Sequence, residues 1–337
     1  MVDGDAVLDR LIGASLDALV LRAFIELGLP EHLGDSGASV EELARRSGTD
    51  VAALERLLRA AAGLGLCVED EGRINLSAAG RPLRDGPAVW ARLLTEPWLI
   101  RAWEHLADAI RDGRSPFADV HGVSFWEFLG AHADHNSLFD GAMSAGASQR
   151  ADDLVGAIDL SNVAVIVDVG GGQGRLIADV LSRWPHLRGV VADRADVLAD
   201  VHPALSAPDI VDRVEVVPCD FLTAVPAGGD VYVLSRVLHD WADAEASSIL
   251  KACRAAMHPG SRLCVLETIV PPWENSGDSD AAGHAIRDLN MLVLVGGQER
   301  TAAQYEQLLN ASGFAVRRIS SGSACDVIEA DVQSHDQ

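Results

Sequence analysis

The sequence predicts an α/β chain. A doubly wound, mostly parallel sheet, closed by an antiparallel C-terminal hairpin, follows an α-helical domain with the element order of a winged helix. Three observations predict it. From residue 163 onward, apolar runs alternate with helical segments. The first of those runs breaks into four glycines in "VDVGGGQG". Residues 1–95 read helix, helix, helix, hairpin. A chain of 337 residues is long enough for two domains, and the boundary is expected after residue 95. Residues 96–337 then form the second domain, with 96–155 as its helical linker and pocket segment.

In chain order, "LDALVLRAFIELGLPEHL" is apolar on most faces, which on a helix implies burial from several sides, including against a second subunit. "SVEEL" offers a capping box in which Ser39 caps and Glu42 reaches back. "TDVAALERLLRAAAGLGL" repeats apolar residues at Leu54, Leu57, Leu58 and Ala61, the stripe of an amphipathic helix. "LCVEDEGRINLS" reads as two short strands around a tight acidic turn. Such an order raises a DNA-binding reading, but residues 1–95 carry 15 acids and 10 bases, the wrong sign for a phosphate-reading surface. The module is expected to dimerise instead. Residues 96–155 are mostly helical around an aromatic-rich insert, "GVSFWEFLGAHADHNSLFDGAMS". His132 and His135 within it have a ligand-like spacing. With no carboxylate or cysteine cluster beside them they read as exposed helix histidines, and no metal is expected.

The strands that follow are "NVAVIVDVG" (162–170), "GVVAD" (189–193), "VEVVPCD" (214–220), "DVYVLSRVL" (230–238) and "RLCVLETIV" (262–270). Helices separate most of them, among them "RLIADVLSRW" and "DAEASSILKACRAAMHPG", the latter stopped by Pro-Gly. "FAVRRISS" and "ACDVIEADV" follow one another without a helix and predict the antiparallel hairpin at the sheet edge.

Composition narrows the partners. Acids outnumber bases 50 to 27, so nucleic acid and anionic membranes are disfavoured. The apolar stretches fall short of the roughly 20 residues of a membrane span, and the acidic N-terminus lacks the basic region of a secretory signal. Five cysteines, Cys67, Cys219, Cys253, Cys264 and Cys325, stand singly and read as buried thiols of a reducing cytoplasm.

The glycine turn selects a ligand. A dinucleotide site wants G-x-G-x-x-G, and a phosphate loop wants Lys-Ser/Thr after the last glycine. Here Asp168 precedes Gly170, Gly172 and Gly174 at alternate positions. An acid at that mouth suits a cationic ligand end, such as the amino group of a methionine moiety, and repels pyrophosphate. Asp193 stands at the second strand's tip, where a carboxylate takes ribose hydroxyls. Asp220 and Phe221 stand at the third, for an adenine amino group and the adenine face. An adenosine ligand with a cationic end is S-adenosyl-L-methionine.

Through these residues the chain resembles the S-adenosylmethionine-dependent O-methyltransferases of the caffeate/flavonoid type and their bacterial natural-product relatives. The likeness rests on "VDVGGGQG", "CDFL", "SRVLHDWADAEASSILKACRAAMHPG", "VLE" and "LVGGQERT", and it runs over nearly the whole chain. The resemblance implies a Rossmann-like methyltransferase sheet, an intertwined homodimer through the N-terminal domain and a small aromatic acceptor. It makes His239 of "HDW" the general base, flanked by Glu267 and Glu299. It points to Gly170, Asp193, Asp220, Phe221 and Ser235 for the cofactor. It also points to Met143 and Met291 for the acceptor, with Asp240 and Trp241 shaping the same pocket. Many plant members carry a lysine where Ser235 stands, so that contact is weaker or made differently here.

A phenol of pKa near 10 facing an ordinary imidazole near 6.5 leaves a proton transfer uphill by about 3.5 units, or roughly 5 kcal/mol. A neighbouring sulfonium covers part of it, and transfer concerted with in-line attack covers the rest. Three other readings stay open: an N-methyltransferase acting on a small aromatic amine, a winged-helix regulator with a ligand-binding domain, and a relative that retains the cofactor but has drifted to another reaction.

Overall fold

Side chains that alternate between two buried faces make the C-terminal half a single sheet with helices on both sides. The computed structural model describes residues 4–84, 86–272 and 281–333. The chain divides into two compact units, Met1–Arg101 and Ala102–Gln337.

In the first unit a long helix, Gly4–Glu26, breaks at Leu27–Gly28 before a short helix, Leu29–Leu33. The uninterrupted apolar run does not reveal that break. Helix Val40–Ser47 starts on the expected capping box: Glu42 N–H donates to Ser39 Oγ at 3.2 Å, and Ser39 N–H donates to Glu42 Oε2 at 3.1 Å. Helix Val51–Gly63 buries Leu54, Leu58 and Ala61. Strands β1 (Cys67–Asp70) and β2 (Arg73–Leu76) pair antiparallel around Glu71 and Gly72, completing the order of a winged helix. Phe24, Leu29, Leu33, Leu43, Leu54 and Leu58 anchor the core of this unit. The long helix leaves Leu8, Leu11, Ile12, Leu16 and Leu19 more than half exposed. At that spacing they form one apolar stripe.

The second unit holds β3 (Val165–Val169), β4 (Arg188–Asp193), β5 (Val214–Pro218), β6 (Val231–Ser235), β7 (Arg262–Glu267), β8 (Phe314–Ser321) and β9 (Asp326–Val332). Among the described residues they form one seven-stranded sheet in the order β5-β4-β3-β6-β7-β9-β8. β5 to β7 pair parallel; β9 pairs antiparallel with β7 and β8, which makes the expected C-terminal hairpin the sheet edge. Ile166, Val231 and Val233 face one core, with helices Ala147–Ala157 and Arg175–Arg183; Val167, Tyr232 and Leu234 face the other, with helices Asp243–Ala256 and Ala302–Ala311. The chain leaves β3 for β4 on one side and later returns to place β6 on the other. Strand order therefore reverses between β3 and β6, where open sheets of this kind leave a crevice at their carboxyl ends.

Four cysteines are buried as expected, but Cys219 is half-buried, because it lies just past the end of β5. Among the described residues no helix is long and apolar enough to cross a membrane.

Candidate active site

The glycine turn lies at the reversal point. Gly170 N–H donates to Ala192 O at 2.8 Å, lashing the turn to the end of β4. Gly170 has φ +69°, and a Cβ there would stand 2.6 Å from Val237 Cγ2, so a bare backbone is required. Asp193 Oδ2 accepts from Gly172 N–H at 2.8 Å, and Oδ1 accepts from Arg194 N–H at 2.7 Å. The β4 carboxylate thus steadies the turn and keeps lone pairs for a ligand. Burial holds Asp193 above the usual carboxylate range, against the N–H groups it accepts. Asp168 is 1% exposed, and its Oδ1 has no hydrogen-bond partner among the described residues. Burial, then the charge of Asp193, push it up to about 7.

A cavity at the carboxyl ends of the strands is lined by Asp168, Gly170, Gly172, Asp193, Asp220 and Phe221, and also by Met143, Ser235, Asp240 and Trp241. The Phe221 and Trp241 rings meet edge to face, with centroids 6.2 Å apart. Arg150 Nε donates to Ser235 Oγ at 3.2 Å, so a guanidinium carries positive charge to the position where plant members have a lysine.

His239 sits in a 3₁₀ turn, Leu238–Asp240, that follows β6. Two charged side chains clamp this turn. Glu267, at the end of β7, accepts on Oε1 from the backbone N–H groups of Val237, Leu238 and His239, at 3.1, 2.9 and 3.3 Å. Arg300, fully buried, donates to the carbonyls of Leu238 and Trp241 at 2.9 Å each and to Asp243 at 2.8 Å. The acid takes the donors of the turn, and the base takes its acceptors. Gly297 brings the following strand of chain alongside: a Cβ there would lie 2.0 Å from His239 O.

The imidazole is 3% exposed. Its Nδ1 is 3.0 Å from Glu299 Oε1 and 3.7 Å from Glu267 Oε2; its Nε2 is 3.5 Å from Asp240 Oδ1. Burial pushes His239 down, but Glu267, then Asp240, and the Glu299 hydrogen bond outweigh it and raise the imidazole to about 9. Burial pushes Glu267 above the usual range. For Glu299, burial is overcome by the hydrogen bond and charge of His239, which hold it below that range. Of the two glutamates, Glu299 makes the hydrogen bond to the imidazole, while the charge of Glu267 is the largest influence raising it. The donor atoms of His239, Glu267 and Glu299 all lie within 4.8 Å, a grouping that could also take a metal ion. Hydrogen bonds already occupy His239 Nδ1, Glu299 Oε1 and Glu267 Oε1.

His239, Glu267, Glu299 and Met291 do not line the cavity; Val237 and Asp240, on either side of the base, do. Met291 is half-buried in helix Ala281–Leu294. His132 Nδ1 meets the Phe128 carbonyl at 2.8 Å, and the His135 ring, only half-buried, stacks on Phe128. Sequence reasoning missed Arg236 and Asp140, both on the cavity wall, and Arg300. Asp140 is pushed up to about 6 by burial, then by Asp193 and Asp200. It lies inside "FDGAMS", where a lone acid carries no separate signal.

Residues 103–315 match the model of the O-methyltransferase domain, and residues 10–83 match that of the O-methyltransferase dimerisation domain. The chain belongs to the O-methyltransferase family. This methyltransferase is 36% identical over 321 residues to the mitomycin biosynthesis 6-O-methyltransferase of Streptomyces lavendulae, which spans 93% of this chain and 90% of that one. It is equally 36% identical over 322 residues to the 8-amino-8-demethylriboflavin N,N-dimethyltransferase of Streptomyces davaonensis, over 93% of this chain and 91% of that one. It also resembles the solved structure of an O-methyltransferase from neocarzinostatin biosynthesis in complex with S-adenosylmethionine and 2-hydroxy-5-methyl naphthoic acid. There the TM-score is 0.79 with 30% identity, covering 94% of this chain and 95% of that one.

The enzyme is thus an S-adenosylmethionine-dependent O-methyltransferase, related to enzymes that methylate aromatic natural products. Its own residues fit that donor. The buried Asp168 oxygen, without a hydrogen-bond partner among the described residues, is free to accept from a cationic ligand end, and the side-chain-free turn admits close approach to the backbone.

Proposed function

We propose that the protein transfers a methyl group to a hydroxyl of a small aromatic, phenolic or polyketide-like natural product, with His239 as general base. The observation that carries this is the 3.0 Å contact between His239 Nδ1 and Glu299. Nδ1–H donates to the carboxylate, which leaves Nε2 as the basic nitrogen. When bound, S-adenosylmethionine supplies an electrophilic methyl group on a sulfonium. Asp168 would hold its amino end, Asp193 its ribose, and Asp220 with Phe221 its adenine.

His239 Nε2 takes the hydroxyl proton as the oxygen becomes nucleophilic, and Glu299 balances the imidazolium that forms. A phenol near pKa 10 and an imidazole at about 9 leave a gap of about one unit, about 1.4 kcal/mol. The three carboxylates around the ring therefore do most of what an ordinary imidazole would need a neighbouring sulfonium to do. They also keep the free enzyme's imidazole protonated at neutral pH. Glu267 and Arg300 hold the turn that aims it. The matched dimerisation domain and the exposed stripe from Leu8 to Leu19 support a homodimer through the N-terminal unit.

The test is a methyl-transfer assay on paired aromatic acceptors that differ only in carrying a hydroxyl or an amine. Spent cofactor and methylated product are read by mass spectrometry. The proposal expects O-methylated products and dependence on His239. Turnover of the amines alone, unaffected by His239→Ala, would favour the N-methyltransferase reading and overturn this one.

A further inference from the structure

Four arginines line the cavity, and three of them are engaged. Arg150 donates to Ser235 Oγ and to the Met143 carbonyl, Arg175 pairs with Asp179, and Arg194 pairs with Asp196. Arg236 makes no side-chain hydrogen bond and no ion pair among the described residues, and its Nε is buried without a partner. Its backbone is left-handed, at φ 56°. For an arginine that conformation is uncommon and strained, and strain of this kind concentrates at functional sites. The kink falls between the end of β6 and the His239 turn, fastened by Arg236 N–H donating to Leu266 O at 2.9 Å.

We propose that Arg236 receives a carboxylate of the acceptor, so that the enzyme takes aromatic hydroxy acids in preference to neutral phenols. This rests on the methyl-transfer reading above. Arg236 stands between the end of β6 and the His239 turn, on the side of the proposed base. Its charge acts on His239, Asp240, Glu267 and Glu299, whereas the cation that acts on Asp168 at the glycine turn is Arg150. An anion approaching His239 meets Asp240 on the cavity wall with Glu267 and Glu299 behind it, and those carboxylates repel it. An unpaired guanidinium beside them removes that repulsion and offers a planar fork matched to a carboxylate. Without an anion, Arg236 and Arg150 repel one another: burial first, and then the Arg236 charge, lower the affinity of Arg150 for its proton.

The probes are 1-hydroxy-2-naphthoate and its uncharged carboxamide, titrated calorimetrically into the full-length protein loaded with S-adenosylhomocysteine. The wild type is expected to bind the acid at least about tenfold more tightly than the amide. Arg236→Met should abolish the preference and Arg236→Lys keep part of it, with the affinity for S-adenosylhomocysteine within about threefold in both. Equal binding of acid and amide by the wild type, or binding of neither, overturns the proposal whether or not the variants fold. A loss of about tenfold or more in S-adenosylhomocysteine affinity in Arg236→Met would assign the carboxylate to the cofactor and overturn it as well. If the wild type gives no heat with S-adenosylhomocysteine itself, the underlying functional reading fails instead, so the two failures are distinguishable.

Discussion

Replacing Glu299 by glutamine removes one charge at 3.0 Å from His239 Nδ1 and leaves an oxygen that still accepts the N–H. Losing an opposite charge this close lowers the pKa of the imidazole by about 1–2 units. The His239 pKa should fall from about 9 to between about 7 and 8. The base works only when neutral, so kcat/KM of the wild type should climb about tenfold per pH unit up to about 9. In Glu299→Gln that acid limb should move down by about 1–2 units. The plateau above it should fall about 10- to 100-fold, because the imidazolium forming during proton transfer loses its counter-charge. At pH 7 the larger neutral fraction returns about 10- to 50-fold, so the defect should look mild there and severe at pH 9. The assay is kcat/KM from pH 6.5 to 10 on a phenolic acceptor, following spent cofactor by chromatography. An unmoved acid limb, or one that moves in Glu267→Gln and not in Glu299→Gln, would refute the assignment.

Three other outcomes follow from the geometry. Asp193→Ala should weaken S-adenosylmethionine binding about 10- to 100-fold in calorimetry, since it removes a carboxylate that also ties down Gly172; unchanged affinity would put the ribose elsewhere. Arg300→Met should cost about 3 kcal/mol in denaturant unfolding, because it leaves the Leu238 and Trp241 carbonyls buried without donors; a change under about 0.5 kcal/mol would show that the turn is held by other means. Ile12→Glu combined with Leu16→Glu places two charges in the exposed stripe and should give monomers by light scattering, against a dimeric wild type.

The sheet was legible because its signals are local. "NVAVIVDVG" is apolar at every position that β3 buries except Asp168, and the glycines cannot be read as anything but a bare turn. The acids at strand tips followed from the strand ends themselves. His239 and both glutamates were found through family motifs, since Glu267 and Glu299 lie 28 and 60 residues from His239 and meet it only through folding. What each glutamate does was not legible. Nothing in "VLET" says that Glu267 spends its Oε1 on three backbone N–H groups, leaving Glu299 to hold the imidazole. Arg300 and Arg236 were invisible for related reasons. One is an ordinary surface type that is fully buried, and the other matters through a backbone angle that composition does not encode. The break at Gly28 was masked by apolar residues on both sides.

In the proposed mechanism His239 acts on the acceptor and not on the donor. The most direct measurement is single-turnover methyl transfer to a phenolic acceptor by His239→Ala, paired with its calorimetric affinity for S-adenosylhomocysteine. The rate should drop by at least about 100-fold while the affinity stays within about threefold of the wild type. Methyl transfer at a comparable rate, or affinity lost together with rate, would contradict it.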